Sequence, residues 1–123
     1  MIEGVVTSDR EPIVRLGVCD ASGNAHEFEA VVDTGFTGWL TLPPDMIAKL
    51  GLTWREWGAA ILADGSQIIF KVYDAVIMWD GQAIHCTVDE ADAEPLNGMR
   101  LMQGYRILIE DIDGGIVRLE RMQ

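Results

Sequence analysis

Ala30-Val31-Val32-Asp33-Thr34-Gly35-Phe36-Thr37-Gly38-Trp39-Leu40 decides how this chain is read. An apolar run ends in an acid. A hydroxyl and two closely spaced glycines follow, and the apolar character resumes at Trp39 and Leu40. Burying such a run brings Asp33 to the edge of a core, where an unpaired carboxylate is unfavourable unless donors surround it. Gly35 and Gly38 supply that remedy, because without side chains they let backbone N–H groups approach a carboxylate closely. Asp-Thr-Gly alone is a weak motif, and a polar turn between strands is the plain alternative. Surface turns, however, are rarely flanked on both sides by residues that belong in a core. Asp33 is therefore the first candidate for chemistry, with Thr34 and Gly35 as its setting.

On both sides of this segment, β-branched runs of strand length recur at 13–19, 27–32, 68–72, 76–79, 84–88, 107–109 and 116–119. Turn residues separate them: Asp20-Ala21-Ser22-Gly23-Asn24, Asp64-Gly65, Asp80-Gly81 and Asp113-Gly114-Gly115. The pattern predicts an all-β, mainly antiparallel domain made of successive hairpins. Residues 43–51 break it, with Pro where a helix starts and Gly where it stops, so a short helix is predicted there. A second brief helix is predicted over 99–103, ended by Gly104. No repeat, Pro-rich linker or low-complexity segment divides the chain, and residues 1–123 read as one domain.

Acidic residues outnumber basic ones by 20 to 9, for a formal charge of -11, and the basic residues are scattered. Nucleic acid is excluded as a partner, because phosphate binding draws on concentrated positive charge. No apolar stretch reaches the roughly 20 residues that span a bilayer, the longest being broken by Asp74 and Asp80, so no membrane association is expected. Cys19 and Cys86 are the only cysteines, and Met1-Ile2-Glu3-Gly4 has neither the basic start nor the apolar run of a signal peptide. A cytoplasmic protein is expected. The acidic stretch Asp89-Glu90-Ala91-Asp92-Ala93-Glu94 lacks the spacing of a calcium loop and reads as a solvated turn.

The decisive segment resembles that of the retropepsin-like aspartic proteases, whose motif is two apolar residues, Asp-Thr-Gly or Asp-Ser-Gly, and a returning apolar strand. Val31-Val32-Asp33-Thr34-Gly35 fits it residue for residue. Ala63-Asp64-Gly65-Ser66 is similar to the tip of the flap hairpin that closes over substrate in this family. Pro95-Leu96-Asn97-Gly98-Met99-Arg100-Leu101-Met102 resembles its apolar-apolar-Gly element near the C-terminus. Two departures stand out. Phe36 occupies a place usually held by a small residue in the viral enzymes, though Asp-Thr-Gly-Phe-Thr-Gly resembles a microbial branch. Asn97 interrupts the apolar pair before Gly98.

The resemblance implies a closed acid-protease barrel and an aspartic endopeptidase acting on peptide or protein substrates. It assigns acid-base work to Asp33, support to Thr34 and Gly35, and substrate contact to Ala63, Asp64, Gly65 and Ser66. Because no second Asp-Thr-Gly or Asp-Ser-Gly occurs, the implied enzyme is a homodimer. No cofactor is implied. A metal site drawn from Cys19, His26, His85 and Cys86 lacks ligand spacing, and His85 and Cys86, adjacent on a strand, point to opposite faces. Ser66 has no nucleophile elbow around it, and no phosphate loop is present. Trp39, Trp54, Trp57 and Trp79 read as core or interface anchors, with Trp54 and Trp57, beside the flap, as candidates for substrate contact. The rival reading is a catalytically silent peptide-binding or dimerisation module on the same fold.

Overall fold

In the computed structural model, which describes residues 1–123, the β-branched and aromatic runs become ten strands. They are β1 (Ile2–Val6), β2 (Pro12–Cys19), β3 (Ala25–Val32), β4 (Leu40–Leu42), β5 (Thr53–Ile61), β6 (Gln67–Trp79), β7 (Gln82–Glu90), β8 (Leu96–Asn97), β9 (Tyr105–Ile109) and β10 (Ile116–Arg121). The single helix α1 (Pro44–Leu50) falls within the predicted 43–51. Pro43 leads into it in an extended conformation, and Gly51 ends it at φ 66°, ψ 37°, its N–H reaching the carbonyls of Ala48 and Ile47.

The second predicted helix does not form. Residues 99–104 make consecutive turns, with Met102 N reaching Gly98 O at 3.4 Å and Gln103 N reaching Arg100 O at 3.4 Å. Five residues ended by a left-handed Gly104 are too few to offset the cost of helix nucleation. The runs at 68–72 and 76–79 belong to one long strand, because Tyr73, Asp74 and Ala75 stay paired with β7 throughout. β5 was hidden in a segment rich in Trp, Arg, Glu and Gly, and its strand character comes from pairing with β6.

The strands lie in the order β5-β6-β7-β4-β8-β3-β2-β1-β10-β9. An extra antiparallel pairing of β2 with β6, through Gly17 opposite Met78 and Val18 opposite Ile77, closes the stretch from β6 to β2 into a ring. The result is an all-β barrel in which only β3–β8 and β4–β7 are parallel. Alternation fills its interior: Val14, Leu16 and Val18 from β2, Ala75, Ile77 and Trp79 from β6, Leu40 and Leu42 from β4 and Val88 from β7 are all buried. Val117 and Leu119 of β10 join the same core, and β10 pairs with β1 and β9 of its own chain. No helix is long and apolar enough to cross a membrane.

Candidate active site

Strand β3 carries Val32 into the core at 6% exposure and delivers Asp33, half-buried, at its end. The backbone turns there, with Phe36 N donating to Asp33 O at 3.3 Å, and the Asp33 carboxylate is met from its own loop by Gly35 N, which donates to Oδ1 at 2.8 Å. Thr34 and Gly35 are exposed. The three residues read from the sequence as a catalytic unit thus stand together at a strand end, the carboxylate held by a backbone donor.

The loop is held open by a second segment that passes between its limbs. Val31 N donates to Pro95 O at 2.9 Å and Asp33 N to Asn97 O at 3.0 Å; on the other limb Gly98 N donates to Trp39 O at 2.9 Å, Met99 N to Phe36 O at 2.8 Å and Arg100 N to Gly38 O at 3.1 Å. Strand β8 is accordingly parallel to β3 and antiparallel to β4. Such close threading requires glycine: a Cβ on Gly98 would stand 2.1 Å from Gly38 O and 2.6 Å from Phe36 Cδ2. Gly38 is needed for a related reason, since a Cβ there would come within 2.6 Å of Phe36 Cζ. Phe36 therefore fits because two glycines make room for its ring. Asn97 is fully buried, and neither Oδ1 nor Nδ2 has a hydrogen-bond partner.

The predicted flap residues lie at the tip of the β5–β6 hairpin. Leu62 N donates to Ser66 O at 2.7 Å, Gly65 N donates to Leu62 O at 2.9 Å, and Gly65 takes φ 86°. Asp64 Oδ1 accepts from Ser66 Oγ at 2.6 Å and from Ser66 N at 2.8 Å, and these bonds hold its carboxyl below the usual carboxylate range. Trp57, Ile61, Leu62, Ile68 and Ile69 of this hairpin are exposed, and Trp54 stands edge-on to Trp57 at 6.3 Å. Trp79, by contrast, is a core residue.

None of the four principal concavities includes Asp33, Thr34, Gly35 or residues 63–66; the largest, about 520 Å³, is lined by Trp39, Trp79, Ile84, Arg100, Tyr105 and Arg121 among others. No three His, Cys, Asp or Glu residues stand close enough to hold a metal ion. His26 is engaged with Asp20, Nε2 to Oδ2 at 2.7 Å. His85 is exposed while Cys86 is half-buried, and burial pushes the Cys86 thiol up to about 12, which leaves it a poor nucleophile.

One carboxylate escaped the sequence reading. The acidic stretch 89–94 is not wholly a solvated turn, because Asp89 and Glu90 complete β7. Asp89 is paired with Val72 of β6 on one side and Thr41 of β4 on the other, and its Oδ2 lies 3.4 Å from where a Cβ on Gly38 would stand. Burial raises its pKa, with no hydrogen bond or neighbouring charge to oppose the shift. The signal that would have found it is the continued alternation of 84–88, which makes residue 89 a strand position rather than a loop.

No family model matches this chain, and no curated protein does. Among solved structures it is similar to the crystal structure of a retropepsin-like aspartic protease from Rickettsia conorii, at 18% sequence identity and a TM-score of 0.52, over 98% of this chain and 92% of the other. That likeness shows the retropepsin-like fold.

Proposed function

We propose that this chain is one half of a homodimeric aspartic endopeptidase in which two copies of Asp33 activate a water molecule between them. The observation that carries the proposal is the Asp33 loop: a half-buried carboxylate at a strand end, bonded by Gly35 N and braced through the 95–100 segment, in a fold shared with an aspartic protease. None of the four principal concavities of the single chain includes Asp33, which is compatible with a cleft completed by a second copy.

Two carboxylates about 3 Å apart do not both ionise easily, so the pair shares one proton and titrates as a unit. The ionised member takes a proton from the water as its oxygen bonds to the scissile carbonyl carbon, and the protonated member gives its proton to the carbonyl oxygen. Collapse of the tetrahedral intermediate breaks the C–N bond as the amine nitrogen is protonated. In this scheme Thr34, exposed beside Asp33, faces the partner copy, and residues 63–66 cover the substrate as a flap. Both cysteines are free, which suits a reducing cytoplasm.

The test is cleavage of a diverse peptide mixture between pH 4.5 and 7, read by mass spectrometry at concentrations that favour dimers, for wild type and Asp33→Asn. Cleavage that disappears in the variant upholds the proposal. A soluble, dimeric wild type that cuts nothing would instead point to a peptide-binding module, a role the exposed apolar hairpin of Trp57, Ile61 and Ile69 also suits.

A further inference from the structure

We propose that Asp89 is a specificity-determining residue, a subsite carboxylate that selects a Lys or Arg side chain from an extended peptide. The inference rests on the peptidase reading above and names the substrate class that reading leaves open.

Its basis is position. Strand β7 bridges the two parts of the proposed cleft, pairing with β6, which runs on into the flap hairpin, and with β4, which follows the Asp33 loop. Alternation along β7 sends Val88 into the core and Asp89 to the opposite face, the face it shares with Val72. The carboxylate reaches Gly38, five residues after Asp33, and packs where a larger residue at 38 would contact it. A peptide lying between flap and loop would therefore pass within side-chain reach of Asp89.

The second argument is energetic. A half-buried carboxylate is normally matched by a cation or by donors, because desolvation disfavours its charged form. Asp89 has neither: burial alone moves its pKa, and in the direction that opposes ionisation. The unmet requirement is for a positive charge arriving from outside the chain. A metal ion is a poor fit, since Asp89 belongs to no group of three His, Cys, Asp or Glu residues that could hold one. A guanidinium or ammonium on a flexible stem needs one carboxylate and tolerates the apolar wall of Val72 and Phe36 along its methylenes. A molecule with a formal charge of -11 also draws basic peptides toward it.

The experiment compares paired peptides, identical except for Lys or norleucine at the position where mass spectrometry finds basic residues enriched around cleavage sites. Wild type should prefer the Lys peptide by about tenfold in kcat/KM, the scale of one charge-assisted contact. Asp89→Asn should bring the ratio near one, while Asp92→Asn, which changes an exposed charge close in sequence, should leave it in place. No enrichment of basic residues, a ratio that survives Asp89→Asn, or an equal fall in Asp92→Asn would overturn the inference while leaving the peptidase intact. If wild type cleaves nothing, fluorescence anisotropy of labelled extended peptides that carry Lys or norleucine at each position in turn separates the two claims. An Asp89-dependent preference for Lys would then uphold the subsite and sink the peptidase, and no preference would overturn the subsite as well.

Discussion

Replacing Gly98 by alanine adds one methyl group where the 95–100 segment crosses the Asp33 loop backbone to backbone. The new carbon would stand 2.1 Å from Gly38 O, and backbone rather than a flexible side chain blocks it, so the 95–100 segment must move away from the Asp33 loop. That movement strains the bonds from Gly98 N to Trp39 O, Met99 N to Phe36 O and Arg100 N to Gly38 O. Each is worth a net of about 1 kcal/mol, and overpacking adds about 1–3 kcal/mol, so with partial relaxation the loss is about 3–5 kcal/mol. An unfolding entropy of about 2.1 cal/mol/K per residue over 123 residues converts each kcal/mol to about 4 °C, and Tm should fall by about 12–20 °C in a circular dichroism melt. Gly17→Ala is the matched control, because its added carbon would meet Met78 Cβ at an ordinary 3.5 Å and should cost little. A fall of less than about 4 °C for Gly98→Ala, or equal falls for both variants, would refute the threading of 95–100 through the loop.

Asn97→Leu removes a fully buried amide with no partner, and the relieved desolvation, about 1–2 kcal/mol, should raise Tm by about 4–8 °C; a lower Tm would mean the amide is satisfied when the protein assembles. Asp64→Ala deletes the acceptor for both Ser66 bonds at an exposed hairpin tip, so peptide KM should rise while Tm barely moves. The Asp64 pKa lies below its ordinary value, so the carboxylate cap is intact at pH 4.5 and the KM effect should be as large there as at pH 7. Asp89→Asn should raise Tm at neutral pH. The wild-type carboxyl has a raised folded pKa, so ionisation opposes folding. The gap between variant and wild type should therefore open as pH rises from the unfolded carboxyl range through the folded pKa, and stay constant above it. A pH-independent gap in thermal melts would contradict that origin.

The strands that announced themselves in the sequence are those whose pattern arises locally. β2, β7 and β10 carry apolar residues at period two (Val14, Leu16 and Val18; Ile84, Cys86 and Val88; Val117 and Leu119), and their turns are written in Asp, Asn and Gly. β5 carried no such signal, since Thr-Trp-Arg-Glu-Trp-Gly is stabilised as a strand by β6 alongside it, with a register shift between Trp54 and Glu56. The same division governs the site. Asp33, Thr34 and Gly35 are contiguous, so one glance along the chain finds them. Asp89 is 56 residues from Asp33, inside what composition alone presents as an acidic loop, and only the β4–β7 pairing brings it beside Gly38.

Phe36 and Asn97, the two departures from the viral pattern, differ in what the structure makes of them. Phe36 is compensated: Gly38 and Gly98 both leave space for its ring, so Phe36-Thr37-Gly38 is a packing unit whose members constrain one another. Replacing Gly38 by any residue with a side chain should demand a smaller residue at 36, and a Gly38→Ala, Phe36→Ala pair should recover stability that Gly38→Ala alone loses. Asn97 has no such partner in the single chain. Its backbone carbonyl accepts from Asp33 N while its amide is buried unpaired. A buried amide left unpaired on the strand that holds Asp33 N lowers the stability of the single chain, and the sign of the Asn97→Leu shift in Tm reads whether it stays unpaired in solution.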